Sequence, residues 1–159
     1  MLERERSGAP VRLPWLFPLT YALHIAEEFW GREGFHRWIA RVSGRTASPL
    51  VFWVLNVTCL ALMVLAIAAN ARRPRAWVLP ALATVVIVNG AGHALGTAIT
   101  GIYSPGLVTG TVLWIPLGVG TLVVERRRVG ARALGVGIVA GLLVHAAVVA
   151  VAAGTLPGR

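Results

Sequence analysis

An all-α polytopic membrane bundle, with five transmembrane helices and a short interfacial helix after the first, is the fold this sequence predicts. Three observations predict it. Hydrophobic residues make up 57% of the chain and charged residues only 13%, with a mean hydropathy of +0.74. A soluble domain of this size is about a quarter charged. The apolar residues fall in runs near the ~20 residues needed to cross a bilayer core. Arginine clusters separate those runs.

The first predicted span runs from about 13 to 30. Prolines open it, and it carries the polar stretch "TYALHIAEEFW". The second covers about 49–70, the third 76–100, the fourth 105–124 and the fifth 131–153. The 159 residues therefore read as one integral membrane domain. No internal repeat is visible. The basic start with its acidic-containing apolar run lacks a small-residue cleavage site, so it reads as a retained helix.

Between the first two spans lies "GREGFHRWIARVSGRTAS". Phe35, Trp38, Ile39 and Val42 fall at helical spacing, and Arg37, Arg41 and Arg45 fall on another face. That pattern suits a short helix lying in the interface. His36 and Glu33 in it read as headgroup-level residues.

All fifteen basic residues are arginine, and the six acidic ones are glutamate. The arginines lie in short inter-span clusters, which fix topology and touch anionic headgroups, so nucleic acid is not an expected partner. Arg4, Arg6, Arg12, Arg72, Arg73, Arg75, Arg126, Arg127, Arg128 and Arg132 share one side. Arg32, Arg37, Arg41, Arg45 and Arg159 share the other. This bias predicts a cytoplasmic N-terminus and an outside C-terminus in a bacterial plasma membrane. The lone Cys59 excludes an internal disulfide and reads as a packing residue.

Charge inside a span is costly and marks function by default. Residues three and four apart share a helix face, so His24, Glu27 and Glu28 project together. Asn89 and His93 do the same in the third span, on a helix whose Gly90, Gly92 and Gly96 invite close approach. His145 lies in the fifth span and Asn56 in the second. Counted from the outer ends, these groups share a layer within about 5 Å at 1.5 Å per residue. Either adjacent carboxylates share a proton or a cation neutralises them.

Histidine with carboxylate suits a divalent metal, with zinc first and iron or manganese as alternatives. His24, Glu27, Glu28, His93 and His145 are the candidate ligands. Glu27 is also a candidate general base, Asn89 a group to orient substrate or stabilise an oxyanion, and Tyr103 a capping acid or substrate contact. Each has a plainer reading. His145 reads equally as a hydrogen-bonded packing residue, Asn56 as interhelical glue, Tyr103 as a headgroup anchor, and Arg32 as a structural partner for the glutamates.

Three stretches together resemble the HXXEE domain family of small bacterial integral membrane proteins. They are His24-Ile25-Ala26-Glu27-Glu28, the pair Asn89 and His93, and Tyr103-Ser104-Pro105-Gly106. The family's function is unknown. The resemblance implies an enzymatic site on these motifs without supplying a reaction.

The expectation is an intramembrane metalloenzyme, hydrolase-like, acting on a lipid-like or apolar substrate that enters from the bilayer. The rival expectations are a carrier or sensor for an ion, proton or small ligand on the same residues, and a haem protein with paired histidines. Oligomerisation stays open.

Overall fold

The computed structural model describes residues 13–45 and 48–154. Six helices follow one another, with no strand among the described residues. Helix α1 is Leu16–Trp30, entered through a 3-10 turn over Leu13–Trp15, and α2 is Phe35–Ser43. Helix α3 is Pro49–Arg72, α4 is Val78–Thr100, α5 is Leu107–Arg128 and α6 is Ala131–Gly154. Helix α5 contains a π turn over Gly110–Trp114.

Four helices, α3 to α6, are long and apolar enough to cross a membrane. Their exposed side chains are those of a lipid-facing surface: Leu62, Leu65, Leu95, Ile99, Leu143 and Val151 all point outward. Meanwhile His24, Glu28 and His93 are buried. Apolar outside and polar inside is the arrangement a bilayer imposes, because an ionisable group costs least in the protein interior. The chain is a membrane protein on these grounds.

The fifth expected span is not confirmed. Helix α1 has 15 residues, which at 1.5 Å each is roughly 22 Å, short of the ~30 Å hydrocarbon core. Its apolar run is cut by Glu27 and Glu28, and Gly31 ends it by turning its N–H to the Glu27 carbonyl at 2.7 Å. Arg4, Arg6, Arg12 and Arg159, on which the orientation partly rests, lie outside the described residues.

Helix α4 is the centre of the bundle and packs chiefly against α6 and α5. Gly90 lets α5 approach: a Cβ there would stand 2.5 Å from the Gly110 carbonyl oxygen. Of the other glycines expected to line this helix, Gly96 receives the buried Trp38 ring, whereas a side chain at Gly92 would meet nothing. Helix α2 is thus anchored by Trp38 on α4, and Glu33 and Arg41 pair across its solvent side at 2.8 Å. Phe17, Phe52, Met63, Ile67, Val86 and Trp114 fill the apolar core.

Candidate metal centre

His24 and Glu28 are one turn apart on α1, so their side chains rise on the same face. His93 comes from α4. Glu28 Oε1 lies 3.7 Å from His24 Nε2 and 3.3 Å from His93 Nε2. All three residues are buried, and one ligand atom from each falls within 4.8 Å of the others. Two donors bound at ~2.1 Å to one ion would be separated by about the Glu28–histidine distances.

Each histidine is aimed by a hydroxyl on its far nitrogen. His24 Nδ1 is 2.7 Å from Thr109 Oγ1, and His93 Nδ1 is 3.0 Å from Ser104 Oγ. Such partners are the usual way a ligating imidazole is oriented. The Thr109 hydroxyl has a second partner, the Glu27 carboxylate, at 2.5 Å. A hydroxyl has one proton, and the carboxylate is only an acceptor. The proton therefore goes to Glu27, and Thr109 must accept from His24 Nδ1–H. This assigns His24 the tautomer with a bare lone pair on Nε2. That nitrogen is buried without a hydrogen-bond partner among the described residues, and it faces a carboxylate oxygen. Two acceptors facing each other in a dry pocket call for a proton or a cation between them.

Glu27 turns away from this cluster. Neighbours on a helix point ~100° apart, and the two glutamates use that angle. Besides the Thr109 hydroxyl, Glu27 accepts from the backbone N–H of Thr109 at 2.6 Å, the N–H of Val108 at 2.9 Å, and the Tyr103 hydroxyl. These N–H groups belong to the first turn of α5, which has no intrahelical partners for them. The Glu27 carboxylate caps α5 from another helix, with the helix dipole in its favour. The Tyr103 ring lies under the Arg32 guanidinium, 4.5 Å from its centroid. Burial, and then the Glu27 carboxylate, push the Tyr103 phenol up to about 12. Arg32 thus meets Glu27 through Tyr103.

The loop from Tyr103 to Gly106 closes the pocket. Ser104 and Pro105 are buried, and Ser104 N–H donates to Thr97 Oγ1 at 2.9 Å. Gly106 has φ +98°, a region open to glycine and strained for other residues. A Cβ on it would fall 2.7 Å from His93 Cε1 and 2.8 Å from His24 Cε1. The backbone of this loop therefore sits directly against both imidazoles.

A family model described as "Protein of unknown function with HXXEE motif" matches residues 15–121, more than half the chain. The chain belongs to this family. No curated protein and no solved structure matches it. In this HXXEE protein the name-giving motif is divided in two by the fold: His24 and Glu28 face the pocket, and Glu27 faces the helix cap.

Asn89 lies one turn before His93 and lines two cavities, and its Oδ1 is buried without a partner among the described residues. His145 is half-buried, lines the same two cavities, and is outside the three-residue cluster. Asn56 accepts from the Tyr21 hydroxyl at 3.0 Å and donates to the Phe52 carbonyl at 3.0 Å, tying α1 to α3.

Sequence reasoning missed Trp114. Its ring stacks on His24 with centroids 3.8 Å apart and an interplanar angle of 26°. The π turn over Gly110–Trp114 inserts an extra residue in α5, which shifts the register of this ring. Nothing in the apolar pattern announces a π turn. Thr109 is visible in sequence only as one of several hydroxyls entering the helix.

Proposed function

We propose that this protein is an intramembrane metal-dependent enzyme whose divalent ion is held by His24, Glu28 and His93. One observation carries the reading: the His24 tautomer assigned by Thr109 directs an unpartnered Nε2 at the Glu28 carboxylate in a buried pocket. Two histidines and one carboxylate leave coordination positions open, a set that suits zinc first and iron or manganese next. Such an ion acts as a Lewis acid and lowers the pKa of water, which fits metal-assisted hydrolysis or related acid–base chemistry.

The residues then divide the work. Thr109 and Ser104 hold the imidazoles, Glu27 and Tyr103 hold the loop that closes over them, and Gly106 covers the pocket. Glu28 and Asn89 line the cavity from which an apolar or lipid-like substrate approaches. The backbone of the loop lies directly against both imidazoles, which favours a single ion over a haem between them. We read α1, extended by its 3-10 turn, as a fifth span. The arginine bias then favours a bacterial plasma membrane with the N-terminus in the cytoplasm.

Elemental analysis of protein purified without chelators tests the proposal. About one divalent ion per chain is expected. E28Q and H24A should lose it, and E27Q should keep the site but hold the ion more weakly. A metal-free wild-type protein that also fails to take up zinc, iron or manganese would overturn the reading.

A second reading, a carrier on the same residues, is favoured by two cavities that lie end to end along α3 and share Tyr21, Asn89 and His145. Ion flux in proteoliposomes without chemical turnover would select it.

A further inference from the structure

A cavity of about 490 Å³ runs between α3 and the α4–α6 pair, and its wall on α3 extends from Cys59 to Arg73. At 1.5 Å per residue that is a slot roughly 21 Å long. Its sides include Met63, Ala66, Leu82, Val85 and Val144, so between its ends the slot is apolar. A volume of this size is in the range of small-molecule sites, and its long, narrow shape matches one extended chain.

At its upper end the slot meets a second cavity, of about 280 Å³, which reaches Glu28 and opens beside α2 at His36 and Ile39. Tyr21, Asn89, His145 and Val148 line both. The junction places polar groups midway along the path, whose far end in the slot is lined by Asn70, Arg73 and Arg75. The Tyr21 hydroxyl is committed to Asn56. Asn89 Oδ1 is buried with no partner among the described residues, a state that costs free energy until a donor arrives. The ligand that fits therefore has a long apolar chain for the slot and, at the chain's head, an N–H or O–H group for Asn89.

We propose that the two cavities form the binding site for a single-chain lipid whose linkage region carries a hydrogen-bond donor. The chain lies in the slot with its end toward Arg73 and Trp77. The donor is bound by Asn89, and the head lies in the upper cavity beside Glu28. This rests on, and deepens, the metalloenzyme reading, because it sets the polar linkage next to the carboxylate that holds the ion. A phospholipid with two chains and no donor at its linkage fits neither the slot nor Asn89.

Equilibrium binding of a radiolabelled long-chain monoacylglycerol to the detergent-solubilised full chain tests it, with metal content measured on the same samples. One saturable site per chain is expected. A66F and V85F, which fill the slot, should each weaken binding at least tenfold. N89L, which keeps the size and removes the amide, should weaken it about fivefold. L65F, on the lipid-facing side, should leave it unchanged. Absence of saturable binding, indifference to both slot-filling variants, or equal competition by phosphatidylcholine would overturn the proposal. Ion retained while lipid binding fails would sink this inference alone. Lipid bound to a chain that takes up no ion would sink the metalloenzyme reading and leave the site standing.

Discussion

The Thr109 hydroxyl stands between two residues of the HXXEE motif, 2.5 Å from the Glu27 carboxylate and 2.7 Å from His24 Nδ1. Through one proton it converts the charge of Glu27 into the tautomer of His24. Glu27 and Glu28 are therefore not redundant: one prepares the ligand, and the other faces it.

Removing that hydroxyl should weaken metal binding without touching a ligand. T109V leaves His24 free to take the other tautomer and removes one of the four donors to Glu27. Loss of such a partner costs about 10- to 100-fold in metal affinity. Chelator competition should show that loss in T109V and near wild-type affinity in T109S.

Gly106 should be intolerant of even one methyl group. G106A combines a φ of +98° with a Cβ 2.7 Å from His93 and 2.8 Å from His24. The strain alone is about 1 kcal/mol or more, and relieving the contact would move both imidazoles. We expect a lower thermal midpoint together with loss of the ion. Unchanged metal content in G106A would show that the loop does not press on the rings.

Tyr103 should ionise only at high pH. Its folded value, raised by burial and then by Glu27 to about 12, lies above the ordinary ~10 of an unfolded chain. The sign follows from linkage: the contribution to stability is present below pH 10 and is lost as pH rises from about 10 to 12. In a Y21F background, tyrosinate absorbance should rise only near pH 12. E27Q should bring the transition back toward 10.

The crossing of α4 and α5 should depend on small residues. A Cβ at Gly90 would stand 2.5 Å from the Gly110 carbonyl oxygen, so G90L forces the helices apart. Overpacking of this kind costs about 1–3 kcal/mol. Because α5 brings Thr109 and Trp114 to His24, G90L should reduce both stability and metal affinity. G92L, at a position with open space, should do neither.

Much was legible in the order of residues. Apolar runs of membrane length between arginine clusters marked α3 to α6, because lipid selects residue type directly. Helical spacing paired His24 with Glu28 and Asn89 with His93, because the period of the α-helix is a local property. The same rules set the bounds of the first segment, which begins at Leu13 and ends at Trp30, but its 15-residue helix does not confirm it as a span.

What the chain order could not decide is which of two adjacent carboxylates faces the pocket. Spacing puts Glu27 and Glu28 equally close to His24, and only the position of the α5 N-terminus, brought to Glu27 by the Gly90–Gly110 crossing and the Tyr103–Gly106 loop, separates them. The stacking of Trp114 on His24 likewise depends on a π turn with no signature in the pattern. Sequence alone determined the membrane helices and the face each polar group occupies, since both follow from solvent and local period. Tertiary packing decided the partner of each group, since a hydrogen bond between residues 82 positions apart, Glu27 and Thr109, depends on where whole helices come to rest.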